Sequence, residues 1–320
     1  MTIKNKRIMV TGGAGFIGSH IAEELYKDNE VIIIDNLSTG KLKNIEPFLS
    51  GKKVQFINGG ITDLPLLQSA FQGVDYIFHE AAVTSVPRSI NDPVITNDVN
   101  ITGTLNVLIA ARDNKVKKVV YASSSAVYGN NPNMPLKEEY APDPLSPYAV
   151  SKLTGEYFCK IFPEIYGLSA ISLRYFNVYG PRQDPGSQYA AVIPIFMKKI
   201  LAGESPVIYG DGEQTRDFVF VKDIVKANIL AALSEAAGQV NIGAGETTSV
   251  NKLAGNIIEL TGDQAAGVKP VYAGPRPGDP RQSHADISIA KMLGYDPYYS
   301  LEEGLKITCQ YFKENNAVMS

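Results

Sequence analysis

Thr11-Gly12-Gly13-Ala14-Gly15-Phe16-Ile17-Gly18 closes a short β-branched run at 7–11 and opens a helix-length segment at 15–27. Counted from Gly12 the glycines fit GxxGxxG, and counted from Gly13 they fit GxGxxG. Gly12, Gly15 and Gly18 suit a turn in which a side chain would block three things: the tight bend, the approach of backbone to a pyrophosphate, and the packing of helix on strand. The helix N-terminus meanwhile offers N–H groups and positive dipole to phosphates. The next β-branched run, 30–35, ends in Asp35, about 20 residues beyond the middle glycine, where a carboxylate accepts from ribose hydroxyls. Its charge would repel a 2′-phosphate, so the reading is a site for NAD rather than NADP. The plainer alternative is a glycine turn with an aspartate that only caps the next loop; strand, turn, helix and acid in this order favour the cofactor.

Further β-branched runs stand at 53–57, 75–79, 116–123 and 168–174, and helix-length segments at 64–71, 94–114 and 148–166. Strict alternation implies parallel strands joined by right-handed crossovers, an α/β doubly wound (Rossmann) sheet. Beyond 174 the pattern loosens into Gly/Pro-rich turns, with helices expected at 190–202, 223–234, 250–260 and 301–314 and a strand at 217–221. The expected division is a dinucleotide domain over 1–176 and, over 177–320, mainly a smaller α/β substrate-binding lobe. A strand and helix near 215–235 would return to the first domain. Ligands bind beyond the carboxyl ends of such strands, so the loops there should carry the chemistry.

Composition narrows the classes. The 320 residues are 44% apolar and 20% charged with net charge −3, an ordinary globular balance without a basic block, which argues against a nucleic-acid surface. No apolar run approaches about 18 residues and residues 1–7 carry no signal-peptide h-region, so no membrane span and a cytoplasmic location are expected. Cys159 and Cys309 lie far apart and His20, His79 and His284 are dispersed, which suggests free thiols and no metal site.

Tyr148-Ala149-Val150-Ser151-Lys152 puts a phenol and an ammonium one helical turn apart, just after the helix start Ser146-Pro147. A phenol of pKa about 10 is a poor base at neutral pH, but Lys152 and an oxidised nicotinamide would favour the phenolate. Tyr148 would then remove a hydroxyl proton while hydride leaves the same carbon. A bare pair at this spacing is more often a solvated helix face. Ser123-Ser124-Ser125, which abruptly ends an apolar strand, tips the reading toward a site, since a serine there can hydrogen-bond the reacting oxygen.

Taken in order, TGGAGFIGSH, DNLSTG, HEAAVTSVPRS, SSSAVYG, SPYAVSK, RYFNVYGPRQ, GDGEQTRDF and RPGDPRQSHAD resemble the extended short-chain dehydrogenase/reductase family, and within it the UDP-sugar 4-epimerases, over nearly the whole chain. The resemblance implies Ser124, Tyr148 and Lys152 as the catalytic triad. It implies Phe16, Ile17, Asn36, Ser38, Thr39, Ile61, Ala81, Ala82 and Asn100 along NAD. Toward the UDP-sugar it implies Thr84, Asn177, Ala191, Val192, Tyr209, Arg216, Arg276 and Asp279, and it implies a homodimer packed through 100–114 and 148–166. One departure is Gly59-Gly60-Ile61, where the family usually has Gly-Asp-Ile with the aspartate on adenine; Asp63 is the nearby substitute.

Dehydrating relatives carry Thr-Asp-Glu where this chain has Ser124-Ser125-Ala126, and decarboxylating ones usually a glutamate near the serine, so epimerisation through a 4-keto sugar is the reaction expected. An idle NAD-binding regulator would be expected to lack one of the triad. In epimerases restricted to UDP-glucose and UDP-galactose, a tyrosine takes the place of Ser283. Serine there leaves room for an acetamido group, as in the UDP-N-acetylglucosamine 4-epimerases, which the runs 182–185 and 189–194 also resemble. The alternatives kept are an enzyme of UDP-glucose and UDP-galactose only, with Ser283 a small loop residue beside an ordinary pocket, and another nucleotide-sugar-modifying enzyme.

Overall fold

The apolar runs of the first half become strands β1 (Arg7–Thr11), β2 (Glu30–Asp35), β3 (Val54–Asn58), β4 (Tyr76–His79), β5 (Lys118–Ser124) and β6 (Ser169–Tyr175). Between them run α1 (Phe16–Leu25), α2 (Glu46–Leu49), α3 (Leu64–Ala70), α4 (Val86–Asn91), α5 (Pro93–Asn97), α6 (Gly103–Asp113) and α7 (Pro147–Tyr166). This computed structural model describes residues 2–51, 53–186, 191–275 and 280–316.

The second half is built of β7 (Asn177–Tyr179), α8 (Val192–Leu201), β8 (Val207–Tyr209), β9 (Thr215–Arg216), β10 (Phe218–Phe220), α9 (Val221–Leu233) and β11 (Gly238–Ile242). It continues through β12 (Thr248–Ser249), α10 (Val250–Thr261), β13 (Val271–Ala273), α11 (Ser288–Met292) and α12 (Leu301–Asn316).

Seven parallel strands form one sheet in the order β11-β6-β5-β4-β1-β2-β3. The chain winds outward from β1 through β3, then restarts at β4 on the other side of β1, so the crevice lies between the ends of β1 and β4, where Thr11 pairs with His79. The doubly wound sheet expected from the alternation is the fold observed.

Strand residues alternate between two cores. Ile8 and Val10 face Ile21 of α1 and Ile224 of α9; Met9 and Ile32 face Leu67 of α3, Val107 of α6 and Phe162 of α7. Each fully buried side chain of this size contributes about 1.5–3 kcal/mol. A third cluster, with Phe196, Ile200, Leu253, Ile257, Leu305 and Phe312, joins α8, α10 and α12 under the short pairs β10–β7 and β13–β8.

The sequence reading assigns none of the short elements α2, β7, β8, β12, β13 and α11, and it differs from the structure in two longer stretches. It assigns no element to 238–242, which is the seventh strand. It also begins a single helix at 94, whereas α4 and α5 form first, capped by Ser85 and Asp92, whose side chains accept from the N–H groups of Arg88 and Ile95. A π-helical turn, Asp98–Thr102, then leads into α6. Among the described residues no helix is long and apolar enough to cross a membrane.

Candidate active site

Gly12 adopts φ +68°, and a Cβ there would lie 2.7 Å from the Ala81 nitrogen, so backbone alone fits between β1 and β4. Gly15 starts α1 without a side-chain cap, which leaves the N–H groups of the first turn, at Phe16, Ile17 and Gly18, facing the crevice as an anion site. Asp35 accepts from the N–H of Ala14 at 3.0 Å and of Leu37 at 2.8 Å, tying the glycine turn to the exposed loop with Asn36, Ser38 and Thr39. Burial raises its pKa, and the two N–H bonds pull it back. The cradle fits a dinucleotide.

Ile61 is buried against Gly103, so only its backbone is open to a ligand. Asp63, the nearby substitute for the missing aspartate, caps α3, its Oδ1 accepting from Leu66 N at 3.0 Å.

The helix of Tyr148 and Lys152 is set by Ser146, whose hydroxyl accepts from Ala149 N at 3.2 Å, and by Pro147 in its first turn. Ser89 of α4 accepts from Tyr148 N at 3.1 Å. Asn100, turned inward by the π turn, binds both polar groups of Val83 and donates to Ser151 Oγ at 2.9 Å, while Ser151 donates to the Tyr148 carbonyl at 2.7 Å. The loop carrying Ala81, Ala82 and Thr84 is thus clamped to α7, the helix of Tyr148 and Lys152.

Lys152, almost wholly buried, donates to the Ala122 carbonyl at 2.7 Å and stands 6.0 Å from the centre of the Tyr148 ring. Burial pushes its pKa down to about 8, against the pull of Glu80. Ser124 lies at the end of β5, its hydroxyl accepting from Ala126 N at 3.2 Å and hydrogen-bonded to the Tyr148 phenol. Burial nevertheless holds Tyr148 above the ordinary phenol range, outweighing the Ser124 bond, and the charge of Glu80 adds to the rise.

Across the crevice, Asn177 donates to the Asp217 carbonyl at 3.1 Å, Tyr209 ends β8, and Arg216 on β9 donates to the Thr215 carbonyl at 2.8 Å. Ala191 and Val192 open α8. The buried carboxylate of Asp217 accepts from the N–H groups of Ala244, Gly245 and Ala285, and burial lifts its pKa to about 6. This anchors the segment of Ser283, itself nearly buried, whose N–H donates to the Thr215 carbonyl at 3.1 Å. Arg276 and Asp279 lie outside the described residues, as do Tyr189 and Ala190.

Ser89, Ser151, Asp217 and Glu80 are the site residues that the sequence reading leaves unassigned. All four nevertheless fall within the quoted runs, Glu80 and Ser89 in HEAAVTSVPRS, Ser151 in SPYAVSK and Asp217 in GDGEQTRDF. Among the described residues no three His, Cys, Asp or Glu side chains gather as a metal site.

A parallel sheet with a glycine cradle at its switch point and a buried Tyr-Lys pair beside it defines a dinucleotide-dependent enzyme. Residues 8–243 match the model of the NAD dependent epimerase/dehydratase family, and the chain belongs to that family. The structure of a UDP-N-acetylglucosamine 4-epimerase from Methanobrevibacter ruminantium M1, in complex with UDP-N-acetylmuramic acid, is similar at TM-score 0.93 and 46% identity, covering 98% of this chain and 100% of that one. A UDP-glucose 4-epimerase of Thermotoga maritima, solved with UDP-glucose, gives TM-score 0.90 at 41% identity, covering 97% and 99%. In sequence, a UDP-glucose 4-epimerase of Mycolicibacterium smegmatis is 39% identical over 316 residues, 97% of this chain and 99% of its own length. NAD, expected from Asp35 and the glycines, is the cofactor of the family.

Proposed function

We propose that the protein is an isomerase, a UDP-sugar 4-epimerase that interconverts UDP-N-acetylglucosamine and UDP-N-acetylgalactosamine, and that it also accepts UDP-glucose and UDP-galactose. The observation that carries the reading is the Ser124–Tyr148–Lys152 cluster at the mouth of the Gly12 cradle, with alanine at 126 where elimination chemistry would need an acid.

Bound NAD supplies the hydride acceptor and donor and a positive charge beside the phenol. Tyr148 takes the proton of the sugar 4-hydroxyl, Ser124 donates to the same oxygen as it becomes a ketone, and Lys152 stabilises the ionised phenol. The 4-keto sugar turns about its diphosphate link and regains proton and hydride on the opposite face, without net oxidation. Arg216, with Arg276, would neutralise the diphosphate. Asn177, Ala191, Val192, Tyr209 and Asp279 would serve the nucleotide side. Ser283, small and held against β9, leaves the acetamido group its space. The chain divides in this reading into an NAD domain over 1–176 and a mainly substrate-binding lobe over 177–320.

We also infer a homodimer. Val150, Tyr157, Ile161 and Ile165 form an exposed apolar stripe along α7, beside exposed Ile90 and Val94, a face that suits a second copy. A light-scattering mass equal to the monomer would contradict it. The free thiols Cys159 and Cys309 suit a cytoplasmic enzyme.

The test is incubation of the purified protein, without added cofactor, with each UDP-sugar. Interconversion at C4 is expected. An inactive protein, or a product of altered mass, would refute the reading.

A further inference from the structure

Pro181, Arg182, Gln183 and Asp184 stand between β7 and α8, yet most of their polar contacts are made with the first 41 residues of the chain. The Pro181 carbonyl accepts from His20 Nε2 at 3.0 Å. Arg182, its side chain mostly buried, places Nη2 2.7 Å from Glu23 Oε2 and Nη1 3.3 Å from Ser19 Oγ. It does so from a left-handed backbone, φ +67°, which a residue with a Cβ keeps only where its surroundings fix it. The ties of positions 181 and 182 supply that fixation. They are made to α1, the helix whose N-terminus forms the anion site.

Held in this way, Asp184 meets the loop that follows β2. Its Oδ2 stands 3.0 Å from Lys41 Nζ, and its Oδ1 accepts from the Gly186 N–H at 3.0 Å. Burial pushes its carboxyl up, but the Gly186 N–H, the Lys41 ammonium and the charge of Lys43 together hold it below the usual range. Lys41 belongs in turn to the frame of the cofactor cradle. Its N–H donates to the Ala14 carbonyl at 3.0 Å, and Asn44 Nδ2 donates to the same carbonyl at 2.9 Å. The preceding Gly40 lies so close to Asp35 that a Cβ there would come within 2.7 Å of both carboxylate oxygens. A single ion pair thus joins Asp184 to the loop of Asn36, Ser38 and Thr39, which folds back on the aspartate expected at the ribose.

We propose that Lys41 and Asp184 form a clasp that retains NAD: their ion pair joins the 36–41 loop to the 181–184 segment, which Arg182 holds in place through Glu23 and Ser19. Both are positioning residues, acting on the loop around the cofactor rather than on the reacting atoms. The clasp brings together α1 and the loop after β2 with a segment more than a hundred residues further along the chain. Each side chain of the pair is 41% exposed, so the interaction is modest and screened by salt. The inference concerns the cofactor alone and does not depend on which sugar enters.

Asp184→Asn removes the charge and keeps an acceptor for Gly186, while Lys41→Met removes the partner and keeps its stem. Protein loaded with NAD is mixed with excess deuterated NAD, and replacement of the bound cofactor is followed by mass spectrometry. Release should be about two- to fivefold faster in either variant, the range of an exposed ion pair, and no faster in the double variant than in the singles. Lys41→Asp combined with Asp184→Lys should recover part of the loss. Raising the salt concentration should speed release from the native protein and narrow its difference from the variants. If Lys41 acted on NAD directly, Asp184→Asn would free its charge for the pyrophosphate and slow release while Lys41→Met sped it. That pattern overturns the proposal, and so do equal release rates in the native protein and both variants. The exchange is read without any sugar present, so a protein that fails to epimerise UDP-sugars is a separate result, which refutes the assigned reaction rather than the clasp.

Discussion

Arg174 holds Glu156 through two parallel bonds, Nε to Oε1 at 2.9 Å and Nη2 to Oε2 at 2.7 Å, with both side chains almost wholly buried. Ser123, next to Ser124, donates to the same carboxylate, and Glu156 lies one turn beyond Lys152. The pair therefore joins β5, β6 and the catalytic helix. Arg174→Met should leave a buried anion without its partner and destabilise the fold by about 3–5 kcal/mol, read from urea denaturation. A loss below about 1 kcal/mol, the scale of an exposed pair, would contradict this role.

Tyr148→Phe removes the proposed base and keeps the ring. Turnover should fall about 10²- to 10⁴-fold, while UDP affinity by calorimetry should be unchanged because the proposed role of the phenol is at the sugar. A near-wild-type rate would show that another group takes the proton.

Ser283→Tyr tests the proposed place of Ser283 in the wall of the sugar pocket. The segment is fixed through Asp217 and Thr215, so it cannot easily withdraw from a larger side chain. Turnover of the N-acetylated pair should be abolished and that of the plain hexoses retained. Equal loss on both, or no loss on either, would remove Ser283 from the specificity assignment.

The first six strands are readable from sequence because β1, β2, β5 and β6 are buried along nearly their whole length and so appear as unbroken apolar runs. The edge strand β11 escapes that reading. Its GQVNI has two polar residues, one of them Asn241, which is buried only because Tyr128, Leu136 and Glu138 satisfy it from distant parts of the chain. Local signals for α4 and α5 were present in Ser85-Val86-Pro87 and Asp92-Pro93, cap and proline together. The glycine turn, Asp35 and the Tyr-Lys spacing are local and therefore legible. Glu80 is not, since its character depends on Tyr175 and Asn228, residues far off in sequence that the sheet brings to it.

The most direct test of 4-epimerisation follows hydrogen at C4. UDP-N-acetylglucosamine deuterated at C4, incubated with the purified enzyme in ordinary water, should yield UDP-N-acetylgalactosamine of unchanged mass with the label still at C4, because hydride leaves and returns within one site. Loss of the label to solvent, or a product lighter by water or carbon dioxide, would contradict the mechanism.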